Sequence, residues 1–147
     1  LKIADFDVCV KKDNKEIFSK GTKNYRAPEI RNRNCRDPEA ADIFSMGIIL
    51  FIMKFRHLPY SEDLLIDGKN FYNLMLEEPY EFWNYHLKFS HKGCEFLNDD
   101  FCELFLGMTK PKPSDRLTIE MIKNTKWYQG EIYDENQLKK VMSIYLS

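Results

Sequence analysis

The sequence lacks any surplus of charge. Its 22 lysines and arginines face 23 aspartates and glutamates, for a formal net charge of −1. A chain so balanced carries no field to draw nucleic acid or an anionic membrane, and its basic residues are scattered rather than gathered in a stripe. A long hydrophobic run is missing too. The longest, Met46 to Met53, falls far short of the roughly 20 residues that cross a bilayer. No signal peptide opens the chain. It starts on Leu1 within a strand-like Leu1-Lys2-Ile3-Ala4, so it is read as a fragment beginning inside an element. The four cysteines, at 9, 35, 94 and 102, form no CxxC pair. They read as free thiols of an intracellular, cytoplasmic protein. His86, His91 and Cys94 lie near one another, but their spacing fits no standard zinc pattern and a fourth ligand is not evident. No repeat or low-complexity tract occurs.

What is there suits one compact domain. The chain has 147 residues and 44% hydrophobic content, enough for a single core and too much for a disordered segment. After the strand, Asp5 to Lys20 reads as polar loop. Pro28 opens a short helix at Glu29 to Arg31, and Asn32 to Glu39 is again loop. Ala40 to Phe55 is the clearest helix. Its apolar residues cover every face, which predicts burial on all sides and a central place in the domain. Helices are predicted at Asn70 to Glu78, stopped by Pro79, and at Glu95 to Met108. A short one follows at Thr118 to Asn124, with Thr118 as cap and Met121 and Ile122 inward. In Glu135 to Tyr145 the residues Leu138, Val141, Met142 and Tyr145 recur at i, i+3, i+4 and i+7. That is an amphipathic helix expected to pack on the domain. The fold class is mainly α with a short strand at the N-terminus.

Five landmarks fall in a fixed order. Asp5-Phe6-Asp7 follows the apolar strand. Gly21-Thr22-Lys23-Asn24-Tyr25-Arg26-Ala27-Pro28-Glu29 comes next. Asp42-Ile43-Phe44-Ser45-Met46-Gly47 opens the central helix. Pro113-Ser114-Asp115-Arg116 precedes the short helix, and Trp127-Tyr128 follows it. Singly these strings are weak; in this order they resemble the C-terminal lobe of the protein kinase family, from its Asp-Phe-Gly segment onward. The resemblance covers residues 1–128, with an activation segment at about 5–29, and leaves 129–147 as a tail.

The resemblance implies a role for each landmark. Asp5 corresponds to the carboxylate that binds Mg²⁺ beside the ATP phosphates, a hard ligand for a hard cation. Phe6 corresponds to the aromatic that packs below the active site. Asp7 stands where the family has glycine, bringing a second carboxylate and a residue that resists some of glycine's backbone angles. Ser19 is the only hydroxyl between Asp5 and Gly21 and the candidate for activating phosphorylation. Thr22 corresponds to the threonine that contacts the catalytic loop in Ser/Thr kinases. Glu29 and Arg116, 87 positions apart, correspond to a buried structural ion pair. Asp42 corresponds to the aspartate that anchors the catalytic-loop backbone.

Other family parts are absent from these 147 residues: the Gly-rich loop, the strand lysine with its helix glutamate, and the catalytic His-Arg-Asp loop. No catalytic residue is identifiable. The reading is a piece of a protein Ser/Thr kinase that uses ATP and Mg²⁺ on a protein substrate, inactive without the missing N-terminal part. The alternative is a pseudokinase acting as a scaffold or binding module. A complete helical interaction domain is the third reading, disfavoured because the all-round apolar helix would expose a face.

Overall fold

The computed structural model describes residues 6–11, 21–61, 65–66, 69–89 and 97–146. The architecture is mainly α. A 3-10 turn at Lys23–Tyr25 leads into α1 (Pro28–Arg31) and the long α2 (Pro38–Phe55). Two-residue strands β1 (Leu65–Ile66) and β2 (Lys69–Asn70) pair antiparallel, Leu65 opposite Asn70 and Ile66 opposite Lys69. Then come α3 (Phe71–Glu77), α4 (Pro79–Lys88) and α5 (Asp99–Met108), a 3-10 turn at Pro113–Asp115, α6 (Ile119–Lys123) and α7 (Glu135–Leu146). The expected strand at Leu1 to Ala4 lies outside the described residues. Among the described residues no helix is long and apolar enough to cross a membrane.

Short polar side chains set the helix starts by accepting from N–H groups that the first turn leaves unpaired. Asp37 Oδ1 accepts from the Ala40 N–H at 3.0 Å, Asn70 from Asn73 at 2.8 Å and Asn98 from Phe101 at 3.0 Å. Thr118 accepts from Met121 at 3.3 Å. The Asp37 cap starts α2 at Pro38, two residues before the start expected at Ala40. Proline is pre-set for the first helical position, where its missing N–H costs nothing. The same rule makes Pro79 the first residue of α4, a helix that a reading of Pro79 as a stop passes over.

The core forms around α2. Phe44, Ile48, Phe51 and Phe55 recur at helical spacing and are buried. The Phe51 ring lies 4.4 Å from that of Phe55, 5.0 Å from Phe105 on α5 and 4.8 Å from the His86 imidazole on α4. On α5, Phe101, Leu104, Phe105 and Met108 supply the facing stripe. The α2–α5 crossing is tight because Gly47 has no side chain; a Cβ there would stand 3.0 Å from Thr109 Cγ2 and 3.1 Å from Met108 Cβ.

Two expectations change here, and one side of α2 stays open among the described residues: Met46, Ile49 and Met53 are 46%, 48% and 66% exposed. These positions form one stripe opposite the aromatic face, so α3, α4 and α5 cannot reach them. Met121 is 54% exposed, because the single turn of α6 turns only Ile122 inward. And α7 leaves much of its apolar face open; Leu138 and Met142 are both exposed and Val141 is half-buried.

Candidate functional site

The segment from Gly21 to Glu29 crosses the start of α2. Gly21 has φ +84°, a conformation that only glycine adopts cheaply. Its carbonyl accepts from Arg26 Nε at 2.8 Å and from the second guanidinium nitrogen at 2.5 Å. Arg26 therefore closes the segment into a compact loop. Thr22 caps the 3-10 turn through its backbone carbonyl, which accepts from Tyr25 N–H at 3.1 Å. Its hydroxyl side is exposed. From α2, Ser45 Oγ lies 2.9 Å from the Tyr25 carbonyl and 3.2 Å from the Ala41 carbonyl one turn back.

Between this loop and α2 lies a cavity of about 360 Å³. Thr22, Arg26, Asp42 and Ser45 line it, together with Val8, Cys9 and Val10 from the preceding segment. Asp42 is exposed at its edge, with the catalytic-loop backbone it is expected to anchor absent from these 147 residues. It also lies one turn into α2, with Glu39 in the first turn, so the helix dipole contributes little to it. Partial shielding from water, followed by the charge of Glu39, pushes the Asp42 carboxyl above the usual aspartate value.

Phe6 and Asp7 precede the cavity wall. Phe6 is 64% exposed, so the described residues do not supply the packing expected for it. Asp7 lies in a turn closed by the Cys9 N–H on the Phe6 carbonyl at 3.0 Å. Among the described non-glycine residues only Arg33 and Arg56 have positive φ. Asp7 thus occupies ordinary backbone, and its replacement of glycine carries no left-handed strain here. Asp5 and Ser19 lie outside the described residues, as do His91 and Cys94.

The far end of the loop is pinned. Glu29 follows Pro28 in the first turn of α1 and is buried. Arg116, also buried, donates to Glu29 Oε1 at 2.5 Å and Oε2 at 2.6 Å, the two-pronged geometry a carboxylate favours. Its remaining N–H groups reach the carbonyls of Ala40 at 2.8 Å, Lys110 at 2.8 Å and Pro111 at 3.2 Å. The guanidinium carbon stands 5.0 Å from the centre of the Phe44 ring. One side chain thereby joins α1, the start of α2 and the loop after α5.

Sequence reasoning missed a second polar cluster. His86 is buried among aromatic rings; its Nε2 lies 3.0 Å from the Pro59 carbonyl and its Nδ1 2.8 Å from His57 Nε2. Donation to Pro59 leaves Nδ1 as the acceptor for His57, which fixes the neutral tautomer. Burial and then the neighbouring His57 lower its pKa to about 3. Nearby, the Tyr72 hydroxyl donates to the Thr109 carbonyl at 3.0 Å, and burial pushes it up to about 12. These groups lock the core, and the histidine pair also lines a largely apolar cavity of about 340 Å³ with Pro59, Tyr85 and Phe89. The signal for His86 was its place at i+4 from Phe82, on the apolar face of a helix. Among the described residues, Cys9, Cys35 and Cys102 are free thiols, and no group of three or more potential metal ligands occurs.

A family model described as protein kinase domain matches residues 1–128. CBL-interacting protein kinase 2 of Oryza sativa subsp. japonica is 29% identical over 134 residues, covering 88% of this chain and 27% of that protein. CBL-interacting serine/threonine-protein kinase 10 of Arabidopsis thaliana is 27% identical over 154 residues, covering 98% and 29%. CBL-interacting protein kinase 5 of Oryza sativa subsp. japonica is 30% identical over 134 residues, covering 88% and 26%. The chain spans less than a third of the length of these relatives.

Proposed function

The chain belongs to the protein kinase domain family, and from that premise we propose that it is the C-terminal portion of a protein Ser/Thr kinase, which transfers the γ-phosphoryl group of ATP to protein hydroxyls. The observation that carries the reading is the cavity that Thr22 and Asp42 share. It lies between the Gly21–Glu29 loop and α2, where a catalytic loop supplied from outside these residues would be gripped from both sides. Thr22 would offer its hydroxyl to that loop and Asp42 its carboxylate. The buried Glu29–Arg116 pair is structural, holding the loop's far end to the rest of the lobe.

The donor chemistry fits Mg²⁺ at the start of the chain. Asp5 is proposed as the ligand, and Asp7, exposed two residues on, adds a second hard oxygen donor. When bound with ATP, the metal supplies charge neutralisation between the β- and γ-phosphates. Ser19 is proposed as the activating phosphorylation site.

The test is phosphate transfer by the full-length protein to a serine- and threonine-containing peptide library, with ATP and Mg²⁺. Transfer is expected in the wild type. Thr22→Ala should lower kcat far more than it lowers the melting temperature, since it removes one hydroxyl contact and no buried packing among the described residues. A wild type that transfers no phosphate would refute the reading. That result would favour the alternative, a scaffold on the same fold.

A further inference from the structure

We propose that Ser45 is a positioning residue for the loop that carries Thr22, holding that loop to α2 through its hydroxyl. The inference rests on the kinase reading only for its consequence in catalysis. The tie itself is read from geometry. Ser45 stands three positions after Asp42, so both side chains project from the same side of α2, and both line the cavity that Thr22 lines. Its Oγ is 2.9 Å from the Tyr25 carbonyl and 3.2 Å from that of Ala41.

A hydroxyl has one proton. Serine within a helix commonly gives it to the carbonyl four residues back, here Ala41. Ser45 has that choice and a shorter contact to Tyr25, so the loop competes with the helix backbone for one donor. With the proton on Tyr25, the turn Lys23–Tyr25 sits against α2 and Thr22 is presented over Asp42. With the proton on Ala41, the loop loses this tie while the helix loses nothing. Arg26 closes the loop on itself through Gly21, and its base is fixed by the fully buried Ala27 and by Tyr25 packed against the core, so the part free to move is the Gly21–Asn24 end. Ser45 therefore sets the height of a preformed loop rather than its internal shape.

The experiment is hydrogen exchange on the full-length protein, comparing wild type, Ser45→Ala and Ser45→Thr. Amide exchange in residues 22–27 should quicken about three- to tenfold in Ser45→Ala, the opening expected when one neutral hydrogen bond is lost. Segments within α5 should be unchanged, and Ser45→Thr, which keeps the hydroxyl, should restore protection. In the peptide assay the same alanine variant should lower kcat, as Thr22→Ala does and to a lesser extent, with KM little changed. Two exchange results overturn the proposal: no change in residues 22–27, or a uniform rise that includes α5. An absence of phosphate transfer in the wild type would refute the kinase reading and leave the exchange result to decide Ser45.

Discussion

Replacing Arg116 with alanine is the sharpest test of how this lobe holds together. The side chain makes five hydrogen bonds, two to Glu29 and one each to the carbonyls of Ala40, Lys110 and Pro111. Its removal leaves the Glu29 carboxylate buried without its cation and takes the charge from the face of the Phe44 ring. Breaking a buried pair on one side costs about 3–5 kcal/mol, mostly as the penalty of the orphaned charge. Water can reach the Lys110 and Pro111 carbonyls at the lobe surface, so their loss adds little. At about 2–4 °C per kcal/mol for a domain of this size, the melting temperature should drop by roughly 6–20 °C. Arg116→Lys should recover part of this, since an ammonium offers three donors where the guanidinium offers five and has no fork to span both carboxylate oxygens. A double variant, Glu29→Gln with Arg116→Met, removes both charges and should melt well above Arg116→Ala. The control is Lys139→Ala. Its partner Glu135 lies 2.7 Å away, but both side chains are more than two-thirds exposed, so the melt should not move measurably. The reasoning fails if Arg116→Ala melts within about 2 °C of wild type, or if the double variant melts no higher than the single one.

Stability should depend on pH through His86. Its pKa is about 3 in the fold against about 6.5 in an unfolded chain. The unfolded state therefore takes up the proton first. The contribution is intact above about pH 6.5 and drains away toward pH 3 at on the order of 1 kcal/mol per pH unit. Urea melts from pH 7 to 4 should show that slope, and His86→Gln should flatten it. Gly47→Ala should destabilise by about 1–3 kcal/mol through overpacking, because both atoms facing the new Cβ belong to the closely packed Met108–Thr109 turn; an unchanged denaturation midpoint would contradict that crossing. The 147-residue chain alone should self-associate through Met46, Ile49 and Met53. Met53→Lys should reduce its light scattering with no change in helical circular dichroism.

Much of this architecture was legible in the residues because it rests on local chemistry. The α2 and α5 stripes follow from apolar spacing, and Thr118 from the preference of hydroxyls for cap positions. The meeting of Glu29 with Arg116 was legible only through a resemblance, since no periodicity links residues 87 apart. What escaped did so for physical reasons. Pro79 both ends and begins a helix, and only the facing positions of Phe82, Trp83 and His86 tell the two roles apart. The hairpin of β1 and β2 is two residues per strand, too short for alternation to register, although Asp67-Gly68 between the strands is a turn dipeptide. That α2 is apolar on every face and outstrips the cover this chain supplies is legible in its composition; that the open face is Met46, Ile49 and Met53 is not, because composition does not say which neighbours reach it. The place of Asp42 at the cavity edge depends on how the Gly21–Glu29 loop lies over α2, which no local pattern encodes.

The anchors along that loop differ in strength, and the difference decides how it can move. Glu29 is held by the buried Arg116 clamp, at about 3–5 kcal/mol. Tyr25 is held to α2 by one neutral hydrogen bond from Ser45, at about 0.5–1.5 kcal/mol, and packs against the core. Among the described residues Gly21 is held to Arg26, within the loop itself. Local opening follows the weakest restraint first, so fluctuations should enter at the Thr22 end and die out before Glu29. The residue proposed to meet the catalytic loop thus sits at the compliant end of a segment whose other end is fixed into the core. Mutations at the clamp should be felt as loss of fold, and mutations at Ser45 as loss of alignment.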